Sequence, residues 1–134
     1  MSHTQLIDSM YDAFSRGDIA YILAQVAPGA SWRQSKMLPW GGDYTGPERA
    51  REFFAQLAAE METTAFHAHQ NIEVGDEVFS FGYYEGRSLS TGKTAGSEWM
   101  FRWRIADGKI AGYEAYIDTA AMLAVIAPKP AAVG

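Results

Sequence analysis

The side chains able to move a proton or grip a ligand are few and scattered. Glu85 follows Phe79, Phe81 and Tyr83 at every second position, so on a strand its carboxyl shares their face. If that face is buried, apolar surroundings raise the carboxyl pKa and suit it to general acid or base work. If the strand has reached the rim, Glu85 is simply solvated beside Gly86-Arg87. Gln34 shares a face with Trp32 and offers either a hydrogen-bonding amide inside an aromatic pocket or a satisfied core amide. Tyr83 and Tyr113 each carry a phenol able to donate to a ligand carbonyl, although buried tyrosines find a partner in most folds. His67 and His69 are two apart and share a strand face, but alternation puts Phe66 and Ala68 on the core side and both histidines opposite. A catalytic zinc wants three protein ligands and no third is evident, so no metal site is expected. Trp40 and Tyr44 sit in a glycine-rich loop that either closes over a cavity mouth or is anchored by them. Serine, histidine and aspartate occur in no triad spacing, and no glycine-rich phosphate loop follows a strand. No cofactor is expected.

The elements that must position these groups follow from periodicity. Ile7, Met10, Tyr11 and Phe14 fall at helical spacing, and that helix ends near Gly17. Asp18 then caps a second helix running through Ile19, Ile22, Leu23 and Val26, stopped by Pro28-Gly29. A short strand over residues 30–35 carries Trp32 and Gln34, and residues 37–46 read as a loop. Pro47 starts a third helix with a stripe of Ala50, Phe53, Phe54, Leu57 and Met61. After Glu62 the period changes from helical to two. Phe66, Ala68, Ile72 and Val74 then form one face, followed by a turn at Gly75-Asp76. Phe79, Phe81, Tyr83 and Glu85 come next, then Trp99, Phe101, Trp103 and Ile105, then Tyr113, Ala115 and Ile117. Asp107-Gly108 is a strong two-residue hairpin turn. Glu98, Arg102, Arg104 and Glu114 occupy the opposite face as cross-strand ion pairs, and Asp118 or Thr119 caps a last short helix. The order is α-α-β-α-β-β-β-β-α, a single domain over 1–127 with a loose tail at 128–134.

Composition narrows the class. With 134 residues the chain fits one ordinary domain, and its 13% aromatic and 20% charged content argues for a packed core rather than disorder. A net charge of −5 gives no footprint for nucleic acid or an anionic membrane. The absence of cysteine excludes a disulfide framework and a thiolate nucleophile. No apolar run approaches the roughly 20 residues of a membrane span, and the first residues lack a signal-peptide pattern, so a cytoplasmic location is expected.

Three helices followed by a curved antiparallel sheet resemble the nuclear transport factor 2-like (NTF2-like) superfamily. Ser15-Arg16-Gly17-Asp18 is similar to its helix-1 to helix-2 junction, and residues 38–47 are similar to the loop before its third helix. The stretches Gly86-Arg87, Thr91-Gly92-Lys93, Trp103-Arg104, Asp107-Gly108-Lys109-Ile110 and Tyr116-Ile117-Asp118-Thr119 resemble the SnoaL-like, ketosteroid-isomerase-related branch. The resemblance implies an α+β cone, with N-terminal helices on the concave face of a mainly antiparallel sheet. It also implies a deep apolar pocket and a homodimer formed through the outer sheet face. It implies no single activity, because one fold hosts many.

The catalytic positions of that branch are not matched. The ketosteroid-isomerase tyrosine falls on Met10, with Tyr11 about 100° round the helix. The aspartate base falls on Gln34 and the second aspartate on Trp99. An epoxide-hydrolase-like set falls on Gly82, Tyr84 and Ala115 and is missing too. The expected function is a SnoaL-like pocket protein binding a small hydrophobic or aromatic metabolite. Tyr11, Phe14, Trp32, Trp40, Phe54, Phe81, Trp99, Phe101, Trp103 and Tyr113 are its ligand-contacting side chains. Any chemistry would be proton transfer of isomerase, cyclase or dehydratase type, with Glu85 as acid or base and Gln34, Tyr83 or Trp99 holding an oxyanion. The alternatives are a non-catalytic binding or dimerisation module and, further off, an epoxide-hydrolase-like enzyme.

Overall fold

Local capping signals set where the helices begin. A computed structural model describes residues 1–127; the proposed tail at 128–134 lies outside the described residues. Helix α1 (His3–Ser15) opens with a capping box in which Ser2 Oγ accepts from the Gln5 amide and the Gln5 side chain accepts from the Ser2 amide. It turns Leu6, Ile7, Met10 and Tyr11 into the core. Gly17, at φ 72°, supplies the left-handed residue that lets the chain reverse. Asp18 then caps α2 (Ile19–Ala24) through the Tyr21 amide. This helix is shorter than its periodicity predicts. Val26 already belongs to a strand, β1 (Val26–Gln34), which contains the Pro28-Gly29 pair as an irregular segment.

A four-residue strand absent from the sequence reading, β2 (Gly42–Thr45), pairs with β1 and leads into α3 (Gly46–Glu60), with Pro47 in its first turn. Four long strands complete the sheet: β3 (Met61–Val74), β4 (Glu77–Ser88), β5 (Thr94–Ala106) and β6 (Lys109–Ile117). Their order is β2-β1-β6-β5-β4-β3, antiparallel throughout except for the parallel β1–β6 pair. Asp107 and Gly108, at φ 52° and 72°, make the predicted tight turn between β5 and β6. Asp118 caps α4 (Thr119–Leu123), and Thr91 bonds the Val125 carbonyl, tying the chain beyond α4 to the β4–β5 turn. The architecture is α+β, with the helices and the core on one face of the sheet.

Two expectations about strand faces are overturned. In β4 the buried phase is Val78, Ser80, Gly82, Tyr84, Gly86 and Ser88. Phe79, Phe81, Tyr83 and Glu85 therefore point to the outer face, where Phe81 is 37% exposed. The reason is volume. The inner side of β4 is covered by the rings of Trp99 and Phe101, which stack at 4.0 Å, and Phe66 stacks on Trp99 at 5.2 Å. Directly opposite them stand the small residues Ser80 and Gly82, and a Cβ on Gly82 would come within 2.5 Å of Trp99 Cε2.

In β3 the register slips at Thr64 and again at His69. Each extra residue moves the following side chains to the other face. Phe66 stays on the core side as expected, and His67 faces outward opposite Tyr83. Beyond His69 the faces exchange. Ile72 and Val74, expected inside, are 42% and 59% exposed, and Asn71 pairs with the inward Ser80 instead.

Candidate functional site

The helices and the inner sheet face enclose a cavity of about 80 Å³. Its wall comes from α1 (Met10, Tyr11, Phe14), α2 (Ile22), α3 (Phe53, Phe54, Leu57) and the inward residues of five strands. Those strand residues are Trp32, Phe66, Tyr84, Phe101, Trp103 and Tyr113. Among the described residues no Asp, Glu, His, Lys or Arg lines it. The polar atoms on the wall are phenols and indoles, and two hydrogen-bonded chains fix most of them.

The first chain crosses the core. Trp103 Nε1 donates to the Tyr11 hydroxyl at 2.7 Å. Ser80, beside Tyr11, donates to Asn71 Oδ1 at 2.5 Å, and Asn71 Nδ2 donates to the Asp8 carboxylate at 2.8 Å on the surface. Burial raises the Tyr11 pKa far above its usual value, and the neighbouring Ser80 and Trp103 offset only part of this. Tyr11 is a neutral, tethered phenol.

The second chain holds Gln34 between two aromatics. Trp40 Nε1 donates to Gln34 Oε1 at 2.9 Å, and Gln34 Nε2 donates to the Tyr113 hydroxyl at 3.0 Å. An indole nitrogen can only donate, so Trp40 determines which end of the amide is which. Burial likewise raises the Tyr113 pKa strongly, with Gln34 pulling the other way. Trp40 is thus a buried anchor at 2% exposure, its backbone carbonyl accepting from the Tyr44 hydroxyl, and not a flap over the cavity mouth.

Tyr11, Phe14, Trp32, Phe54, Phe101, Trp103 and Tyr113, all proposed from the sequence, meet at the cavity. Trp99 stands behind the wall, stacked on Phe101. Gln34 reaches the cavity only through Tyr113. Phe81, Tyr83 and Glu85 are corrected to the outer face, where Glu85 accepts from Thr64 Oγ1 at 3.3 Å. Their inward assignment took the more aromatic phase of β4 for the buried one.

Phe53, Phe66 and Tyr84 were missed as wall residues. Phe53 and Phe66 stood in the apolar stripes of their elements, and that was the available signal. Tyr84 lay in the phase read as outward. The charged outer face pairs Arg102 with Glu77 at 2.6 Å and with Glu114 at 3.8 Å, while Arg104 donates to the Ala111 carbonyl. Among the described residues no cluster of His, Asp or Glu is placed to hold a metal, and no helix is long and apolar enough to cross a membrane.

A wider groove of about 820 Å³ runs outside, between the α1–α2 junction, α3 and the start of β3. Phe14, Phe54, Leu57 and Phe66 line both it and the inner cavity. These four side chains are the partition between the two spaces, and all are only half-buried.

An α+β cone closed over an aromatic cavity is the architecture of the NTF2-like proteins. Within that class, the chain belongs to the SnoaL-like domain family, whose model matches residues 7–113. An NTF2-like protein from Burkholderia thailandensis superposes with a TM-score of 0.86 at 29% identity, covering 92% of this chain and 96% of that one. An NTF2-like protein of unknown function from Burkholderia pseudomallei gives 0.88 at 26% identity, covering 96% and 100%. TerC, co-crystallised with polyporic acid, gives 0.83 at 28% identity, covering 91% and 95%. No curated protein matches the sequence.

Proposed function

We propose that this chain is a ligand-binding SnoaL-like domain whose inner cavity takes a small, flat, uncharged molecule. The observation that carries the reading is the composition of the wall, aromatic and aliphatic throughout, with no ionisable group but neutral phenols. Burying a charge there would cost several kcal/mol without a partner, on the order of the penalties known for unpaired buried ions. General acid–base catalysis needs a titrating group within hydrogen-bond reach of the substrate. With Glu85 on the outer face, the wall supplies donors but no base, which favours binding over proton transfer. The co-crystallisation of TerC with polyporic acid supports a small-molecule role for this fold at comparable identity.

At about 80 Å³ the cavity is small beside the roughly 300–1,000 Å³ of drug-sized sites, so a ring must displace part of the wall. The partition of Phe14, Phe54, Leu57 and Phe66 is the part that can yield, because the groove lies directly behind it. Calorimetric titration with neutral monocyclic aromatics tests the proposal. Saturable binding with a negative heat-capacity change is expected. No saturable binding up to about 10 mM, an affinity weaker than roughly −3 kcal/mol, would overturn it.

We further propose that the outer sheet face pairs with a second copy of the chain. Phe81, Ile72 and Tyr116 are 37%, 42% and 53% exposed there, with Arg102, Glu77 and Glu114 beside them. Exposed apolar patches ringed by polar groups mark interaction sites. Light scattering decides: a mass near twice 14.8 kDa is expected, and the monomer mass refutes pairing.

A further inference from the structure

The four indoles of this chain divide by what their N–H groups meet. Trp40 donates to Gln34 and Trp103 donates to Tyr11. Trp32 and Trp99 are 2% and 3% exposed, and neither Nε1 has an acceptor among the described residues. Trp99 lies behind the wall, but Trp32 is part of it. A buried donor left unpaired carries a desolvation cost that a ligand can relieve.

Beside Trp32 stands a second donor with a free hydrogen. The rings of Trp32 and Tyr113 are 4.2 Å apart, tilted by 33°, and both line the cavity. Because Trp40 orients the Gln34 amide, Gln34 Nε2 donates to the Tyr113 oxygen and occupies one of its lone pairs. The hydroxyl hydrogen of Tyr113 must then point elsewhere, and among the described residues Gln34 is its sole hydrogen-bond partner. Tyr11 differs in its surroundings: it accepts from Trp103, and Ser80 stands beside it.

We infer that the cavity ligand carries an uncharged oxygen acceptor, a ketone, aldehyde or quinone carbonyl on an aromatic ring, received by the Trp32 N–H and Tyr113 O–H donors. The inference rests on the binding reading above and names its substrate class. A carboxylate is disfavoured because no Lys or Arg among the described residues lines the cavity to neutralise it. A plain hydrocarbon would fill the space but leave both donors unpaired. Trp32 and Tyr113 are therefore specificity-determining residues, and Gln34 with Trp40 positions the second of them.

Acetophenone and α-methylstyrene test this, since they share a shape and differ in C=O against C=CH₂. Wild-type protein is expected to bind acetophenone about tenfold more tightly, the usual worth of one hydrogen bond to a buried donor. Trp32→Phe is expected to weaken both ligands and reduce the ratio severalfold. Equal affinities in wild type, or a ratio unchanged in Trp32→Phe, overturn the inference while leaving the binding function standing. If neither compound binds, the binding reading fails with it.

Proton–nitrogen NMR of the wild-type indoles gives a second measure that needs no folded variant at Trp32. Acetophenone should move the Trp32 Nε1–H signal downfield and leave the Trp99 signal in place. A Trp32 signal that ignores acetophenone, or responds equally to α-methylstyrene, overturns the inference.

Discussion

Replacing Gly82 by alanine adds one methyl group at the most crowded point of the sheet. Gly82 faces inward on β4 opposite Trp99 on β5. A Cβ there would press on the His67 carbonyl oxygen of β3 and lie 2.5 Å from Trp99 Cε2. Carbon atoms in contact sit at about 3.5–4.0 Å, so the indole must retreat by roughly 1 Å or more. It has nowhere to go, because Phe101 stacks on it at 4.0 Å and Phe66 at 5.2 Å. Alanine in a strand gains about 0.5–1 kcal/mol over glycine from backbone entropy. Overpacking a filled core costs about 1–3 kcal/mol or more, and here one of the two obstacles is backbone that cannot change rotamer. The steric term wins, and a net loss of about 2 kcal/mol is expected, equivalent to a fall in Tm of roughly 7 °C for a domain of this size. Urea unfolding followed by tryptophan fluorescence measures the loss, and near-UV circular dichroism reports displacement of the ring stack. A variant within about 0.5 kcal/mol of wild type, the range of ordinary surface changes, would refute the packing argument for the faces of β4.

Four further outcomes follow from the site and the surface. Tyr11→Phe removes the acceptor of the buried Trp103 N–H and is expected to cost about 1–3 kcal/mol in urea unfolding; a neutral result would mean that the bond contributes nothing. Ligand affinity should be flat from about pH 5 to 9, because the phenol pKa values of Tyr11 and Tyr113 are raised and both stay neutral across that range. Glu85→Gln should leave affinity unchanged as well, and a bell-shaped pH profile or a loss on this substitution would return Glu85 to the site. Finally, the pKa of Glu77 is lowered by its bond from Arg102, and that of Asp43 by its bonds from Arg33 and then Lys36. A lowered folded-state carboxyl stabilises above its unfolded pKa, and the gain disappears as the pH falls through the folded value. Glu77→Gln with Asp43→Asn should therefore narrow the stability difference between neutral and acid pH. Identical acid profiles for variant and parent would exclude any contribution from these pairs.

Much of this molecule is local and was legible in the sequence. Asp18 and Asp118 cap helices through their own side chains, and Asp107-Gly108 adopts the positive φ values of a tight turn. These signals need only a few neighbouring residues to act. The faces of β5 and β6 were also readable, because Trp99, Phe101 and Trp103 alternate with Glu98, Arg102 and Arg104 and leave one phase apolar. Most of the cavity wall came with them, since Tyr11, Phe14, Phe54 and Trp32 lie on apolar stripes of their elements.

β4 offered no such contrast. Phe79, Phe81 and Tyr83 compete with Val78, Ser80, Gly82 and Tyr84, and hydrophobicity favours the wrong set. What decides is the volume already claimed by Trp99 and Phe101 from the next strand, a quantity that exists only once the strands are paired. The bulges at Thr64 and His69 are equally non-local, because a one-residue slip is defined only against a partner strand. The link from Trp40 through Gln34 to Tyr113 joins residues 79 positions apart and rests on the parallel β1–β6 pair. The sequence by itself determined the class of fold and the aromatic character of its interior. Tertiary structure alone decided which donors inside it are paired and which are not, because a hydrogen bond between distant residues requires the whole sheet to bring them within about 3 Å.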